Sequence, residues 1–239
     1  MKIALVADLH GNRPALSALS DYLQTLKPDE IWCLGDLVGK GPSSDLTFDW
    51  VVQHCQVILR GNWDEGIGRL LYERDAFYHK QLGPERLRKL ASLPLEKHLV
   101  LSGRKIRLIH GRPVMGRLLN IQEPKESLLP LLEPDYNLLV YADCHRQGLR
   151  TLRGQVANIG SVGNALGSPM VQFAVLEGVP GAERAPLEIR FLTLPYDNQA
   201  AAEDARNAPG MPNAEAYIKE VLTGDYAGEL RVMSKRTAK

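Results

Sequence analysis

Two patterns alternate through the first sixty residues, and that alternation is what most restricts the folds open to this chain. Lys2 to Ala7 is a short apolar run suited to a buried strand, and Pro14 to Leu26 then carries Ala15, Leu16, Leu19, Tyr22, Leu23 and Leu26 at helical spacing. Asn12 is placed to cap that helix, and Pro14 suits its first turn. Glu30 to Leu34 reads as a second strand, Asp45 to His54 as a helix and Gln56 to Leu59 as a third strand. A β-α-β-α-β series implies parallel strands joined by right-handed crossovers. Ligands of such sheets lie beyond the carboxyl ends of the strands.

The rest of the chain is less regular. Trp63 to Leu93 is helical in pattern, interrupted at Gly83-Pro84, and Lys97 to Leu101 with Lys105 to Ile109 flank Ser102-Gly103-Arg104 as a hairpin. Asn137 to Tyr141, Leu149 to Leu152, Gln155 to Asn158, Met170 to Leu176 and Leu187 to Thr193 are further strands. Two packed sheets with helices outside absorb them all. After Pro195, helical pieces around Gln199 to Arg206 and Ala214 to Leu222 are expected to pack on the surface or to serve a subunit contact in a homo-oligomer.

Composition narrows the partners. With 29 Lys+Arg against 28 Asp+Glu in 239 residues, the formal charge is +1, which weighs against nucleic acid and against an acidic membrane surface. A hydrophobic fraction of 44% is enough for a globular core. The longest early apolar run, Ile3 to Ala7, is too short for a signal peptide or a membrane span, so a cytoplasmic protein is expected. Cys33, Cys55 and Cys144 offer no C-x-x-C spacing and no disulfide framework. Cys33 and Cys55 read as small core residues, and Cys144 as a spectator on its turn.

The residues just past each strand carry the chemistry. The first strand leads into Asp8-Leu9-His10-Gly11-Asn12, the second into Gly35-Asp36, the third into Gly61-Asn62-Trp63-Asp64, the hairpin into His110-Gly111, and Asn137 to Tyr141 into Ala142-Asp143-Cys144-His145. If the strand ends converge, Asp8, His10, Asp36, Asn62, His110, Asp143 and His145 meet in one site. Such carboxylate, imidazole and amide donors suit divalent manganese, iron or zinc rather than copper or iron–sulfur centres. Two such ions about 3.5–4 Å apart can share a carboxylate, polarise a phosphoryl group and acidify a water. His54, His79 and His98 stand outside the pattern.

In order and spacing these segments resemble the calcineurin-like metallophosphoesterase superfamily, whose pattern runs D-x-H, G-D, G-N-H-D/E, H and G-H-x-H. Asn158-Ile159-Gly160-Ser161-Val162-Gly163 is similar to the N-P-G-S-V-G segment of its small bacterial and archaeal phosphodiesterase branch, and the likeness spans most of residues 1–197. The resemblance implies an α/β fold, a four-layer αββα sandwich, over residues 1–197, with 198–239 as a C-terminal helical extension packed on it. It also implies two divalent metal ions. Asp8, His10 and His145 would bind one, Asn62, His110 and the residue at 143 the other, with Asp36 bridging and Asn62 also touching substrate. The implied activity is metal-dependent phosphoesterase hydrolysis of small phosphodiesters, nucleotides or related esters and anhydrides, by attack of a metal-bridging hydroxide, with Asp36 and Asn62 as catalytic residues.

Two positions depart from the pattern. Trp63 stands where phosphatase-type members carry His, a residue regarded there as the proton donor; an indole donates a hydrogen bond but exchanges no proton near neutral pH. Trp63 could instead stack an aryl group or a nucleobase. Asp143 replaces the first His of G-H-x-H, after Ala142 in place of Gly, and the added negative charge favours manganese. Arg13, Lys40, Arg112 and Arg146 lie within a few residues of the expected ligands; Arg112 is the best placed to clamp a phosphate. The competing reading is a degenerate member with a weakened metal site that acts as a binding or scaffold protein, as the retromer subunit of this fold does.

Overall fold

The computed structural model of the chain describes residues 1–227. Strand β1 (Lys2–Val6) is followed by α1 (Arg13–Leu26), β2 (Glu30–Cys33), α2 (Ser44–His54) and β3 (Val57–Ile58), the expected series, with the third strand cut to two residues. Asn12 caps α1 through its side chain, which accepts the Ala15 N–H at 3.0 Å, and Pro14 lies in the first turn. The next helical stretch divides into α3 (Asn62–Gly68), a 3-10 turn at Glu73–Asp75 and α4 (Ala76–Ser92), which is kinked at Gly83 ahead of Pro84.

Strands β4 (Glu96–Leu101) and β5 (Arg104–Ile109) form the hairpin. Ser102 and Gly103 both take positive φ, 50° and 70°, as a two-residue turn matched to strand twist requires. Between β5 and β6 (Leu138–Tyr141), where the sequence pattern predicts no element, lie short α5 (Arg112–Met115), α6 (Lys125–Leu128) and a 3-10 turn. The chain continues through β7 (Gly148–Thr151), β8 (Gln155–Asn158), β9 (Val171–Glu177), β10 (Glu188–Leu194), α7 (Asn198–Arg206) and α8 (Ala214–Thr223).

The strands make two five-stranded sheets, ordered β10-β9-β1-β2-β3 and β4-β5-β6-β8-β7. In the first, β1, β2 and β3 are parallel; in the second, β5, β6 and β8 are. Alternation along β1 shows how the layers are built. Ile3, Leu5 and Ala7, with Leu176 of the neighbouring β9, face Leu108 and Val140 of the second sheet, whereas Ala4 and Val6 face the helical layer with Leu19, Val51 and Leu90. A smaller cluster of Ile109, Leu139, Tyr141 and Leu132 lies on the outside of the second sheet, under its thin cover of short helices. The result is a four-layer αββα sandwich.

Helices α7 and α8 pack on each other through Ala201, Ala205, Tyr217, Ile218 and Val221. Arg13 of α1 pairs with Asp204 of α7 at 2.9 Å, and Lys40 with Glu220 of α8 at 3.4 Å. Residues 228–239 of the expected C-terminal extension lie outside the described residues. Among the described residues, no helix is long and apolar enough to cross a membrane. Cys33 is fully buried and Cys55 partly so.

Candidate metal centre

All seven expected ligands sit at the carboxyl ends of parallel strands: Asp8 and His10 after β1, Asp36 after β2, Asn62 after β3, His110 after β5, and Asp143 and His145 after β6. Several occupy left-handed backbone, with φ of 54° at Asp8, 49° at His10, 53° at Asp36, 69° at Asp143 and 58° at His145. Each such non-glycine residue costs roughly 1–3 kcal/mol, so the surroundings must hold it. They do so by hydrogen bonds. Asp8 N–H donates to the Gly35 carbonyl at 2.9 Å, while the Asp8 carbonyl accepts from Ser161 Oγ at 3.0 Å and Gly163 N–H at 2.8 Å. Gly35, at φ 105°, admits no side chain, because a Cβ there would lie 2.6 Å from the Gly61 nitrogen.

The three histidines are oriented alike. Their Nδ1 atoms rest against backbone carbonyls, His10 on Val38 at 3.2 Å, His110 on Leu34 at 2.9 Å and His145 on Asn164 at 2.7 Å. A carbonyl only accepts, so each Nδ1 carries a proton and each Nε2 points inward, the arrangement in which metal-ligating histidines are held. His10 Nε2 and His145 Nε2 are 3.1 Å apart. Asp8 Oδ1 stands 3.5 Å from His145 Nε2, 3.7 Å from His10 Nε2 and 3.8 Å from His110 Nε2, and Asp36 Oδ2 is 3.3 Å from His110 Nε2.

Asp8 Oδ1 and Asp36 Oδ2 are buried and have no hydrogen-bond partner among the described residues. Buried carboxylate oxygens left without hydrogen bonds beside imidazole nitrogens are costly unless positive charge, a proton or a metal ion, lies among them. The donor set therefore fits divalent metal. Two overlapping groups, Asp8-His10-His145 and Asp8-Asp36-His110, each bring their ligand atoms within 4.8 Å of one another.

The electrostatics agree. Burial, with Asp36 and Asp143 adding to it, pushes the Asp8 carboxyl well above the usual range. Burial also pushes His10 and His145 well down, so both are neutral at pH 7. At His110 burial pulls the same way, but Asp36, Asp8 and Asp143 together outweigh it and hold the ring up at about 10. Without a cation, the pocket draws in a proton.

Asp143 and Arg112 are engaged with each other. Asp143 Oδ1 lies 2.8 Å from Arg112 Nε and 2.6 Å from its terminal nitrogen, and Oδ2 accepts the Arg112 backbone N–H at 2.8 Å. The Asn62 amide is 3.2 Å from His110 Nε2. The Trp63 backbone N–H donates to Asp36 Oδ1 at 2.8 Å, and the Trp63 ring stands edge-on to His10 at 5.9 Å and to Tyr78 at 6.3 Å. A cavity of about 390 Å³ opens on the centre, lined by Lys40, Trp63, Arg112, His145, Arg146 and Tyr217 among others. Arg13 is turned away toward α7.

Sequence reasoning passes over three supports. Asp64 accepts the N–H groups of Asp36 at 2.7 Å, Leu37 at 2.9 Å and Gly61 at 2.8 Å, which fixes the Asp36 loop; burial, then the nearby Asp36, raises it to about 7. Its place two residues after Asn62 is the available signal. Asn164 holds His145 through its carbonyl and Lys40 through Oδ1 at 2.6 Å. The Leu34 and Val38 carbonyls leave no mark in the sequence, since any residue supplies one.

Two packed sheets with aspartates and histidines gathered at the ends of their parallel strands define an α/β fold with a candidate divalent-metal centre. The chain belongs to the calcineurin-like phosphoesterase superfamily, whose domain model matches residues 1–179. It is similar in structure to a metallophosphoesterase from Sphaerobacter thermophilus, 25% identical, with a TM-score of 0.74 over 94% of this chain and 100% of that one. Protein PH1004 of Pyrococcus horikoshii is 23% identical, with a TM-score of 0.74 over 95% of this chain and 99% of its own, a likeness of fold. The MJ0912 protein of Methanocaldococcus jannaschii is 28% identical over 123 residues, 46% of this chain and 49% of that relative, so the match spans about half the relative's length.

Proposed function

We propose that this protein is a divalent-metal-dependent phosphoesterase of the cytoplasm, acting on small phosphodiesters, nucleotides or related anhydrides. The observation that carries it is the convergence of three inward-facing imidazole nitrogens on two orphaned buried carboxylate oxygens. Asp8, His10, Asp36 and His145 would hold one cation. Asp36, Asn62 and His110, with Asp143 beside them, would hold another. Manganese suits this oxygen-rich set, with iron or zinc as alternatives. Cations bound there supply Lewis-acid polarisation of a phosphoryl oxygen and a more acidic water.

The chain's own groups do the rest. Lys40, Arg112 and Arg146 give the cavity wall the positive charge that a phosphate ester needs. Asn62 orients the ester beside His110. Trp63 closes the side nearest His10 with an aromatic edge and transfers no proton, so leaving groups that depart unprotonated, such as aryl phosphates or anhydrides, are favoured.

The test is hydrolysis of bis-p-nitrophenyl phosphate by the full chain with added manganese. Turnover should fall by roughly 100-fold or more in Asp36→Ala and His110→Ala, since loss even of a group that only hydrogen-bonds a ligand costs roughly 10–100-fold. Bound metal per chain should fall with it. Absence of bound metal in the parent protein, with turnover equal in all three proteins, refutes the reading and favours a scaffold role.

A further inference from the structure

The Asp143–Arg112 pair bears on how many cations the centre holds. We propose that Arg112 takes the place of a cation at the second position: it engages Asp143, leaving one tight divalent position at Asp8, His10, Asp36 and His145 and a much weaker one at Asp36, Asn62 and His110. This rests on the metal-binding part of the proposed function and is independent of the reaction catalysed.

Both oxygens of Asp143 are taken from the Arg112 side. The guanidinium meets Oδ1 with two nitrogens at 2.6 and 2.8 Å, and the backbone N–H of the same residue meets Oδ2 at 2.8 Å. Charge-assisted contacts of this kind are roughly twice as strong as neutral hydrogen bonds. Asp143 belongs to neither group of converging ligand atoms among the described residues, and its Oδ1 stays 4.0 Å from His110 Nε2. The backbone holds it there. Gly111 passes so close that a Cβ would stand 2.5 Å from that of Asp143, and Arg112 begins α5 directly beyond.

A cation seeking Oδ1 must share it with a guanidinium, and the two positive charges repel across a buried oxygen. A neutral histidine at 143, as in the G-H-x-H pattern, would draw no arginine and keep its lone pair free. Aspartate and Arg112 therefore act as a unit that trades a ligand for a fixed positive charge. That charge sits at the cavity wall, where it still faces an anionic ester. The Arg112 side chain is 41% exposed, so its removal opens no core cavity.

Calorimetric titration of the chelator-stripped full chain with manganese tests this. The wild type should show one tight event and a second weaker by roughly 10–100-fold, the range over which neighbouring groups alter metal affinity. In Arg112→Met, and in Arg112→Gln as a second variant, the tight event should be unchanged and the second should strengthen about ten-fold as Asp143 is released. Adding Asp143→Asn to Arg112→Met should abolish that gain. Two equal events in the wild type, or a second event unmoved in both arginine variants, overturns the proposal while leaving the metal centre intact. No binding at all overturns the metal centre itself and the proposal with it.

Discussion

Asp8, His10, Asp36, Asp143 and His145 hold left-handed backbone that glycine would occupy at less cost, and each is a candidate ligand. Strain of this kind persists where the side chain matters more than local ease. Trp63 is the opposite case, a large side chain where the family pattern has a proton donor. Trp63→His should raise turnover of alkyl phosphodiesters, by up to the roughly 10²–10⁴-fold that a general acid contributes, and leave aryl esters little changed. Steady-state rates on a pair of substrates with unlike leaving groups check this; equal effects on both would show that leaving-group protonation is not what Trp63 lacks.

Among the elements, α8 reaches furthest beyond the matched family region. Its Glu220, 6% exposed, meets Lys40, which donates to Asn164 Oδ1, and the Asn164 carbonyl holds His145 Nδ1. Helix α8 thereby braces a candidate metal ligand. Glu220→Leu should leave Lys40 short of its partner, destabilise the protein by about 3 kcal/mol, and weaken metal held through His145. Denaturant unfolding and metal titration measure the two effects. Unfolding alone shifted, with metal affinity constant, would confine Glu220 to packing.

The order of β1, α1, β2, α2 and β3 is legible because alternating apolar runs and helical periodicity are local signals. So is the cap at Asn12. The short helices between β5 and β6 are not: α5 and α6 span four residues each, too few for a helical period to show, and α5 is held by Val114 and Met115 against the outer cluster of the second sheet. Nearness to His110 in sequence marks Arg112 as a phosphate clamp. Its engagement with Asp143 joins loops after two different strands, and no local pattern encodes it.

At the scale of the whole molecule, the formal charge of +1 conceals a centre where Asp8, Asp36 and Asp143 crowd beside one another, and there protons and metal compete. Metal binding must displace the proton held by His110, so affinity should rise with pH until that proton is lost at about 10, and binding should release protons. Without metal, the raised His110 contributes stability that is fully present below its ordinary value of 6.5 and is lost as pH climbs through about 10. The raised Asp8 acts in the same direction. Chelated protein should thus lose thermal stability across that window and the metal-loaded form should not, as calorimetry in paired buffers would show. A chelated form that gains stability with pH would contradict this assignment of charge.

Which side chains stand at the strand ends is written in the sequence, because a strand's end and the residue next along the chain are local facts. That they face inward, with each Nδ1 tied to a carbonyl and each Nε2 turned into the centre, is decided by the tertiary structure. So is the division of labour at residue 143. An aspartate by itself is equally a ligand or half of an ion pair, and the choice depends on which charge the fold brings within 3 Å of it; here that is Arg112, at 2.6 Å.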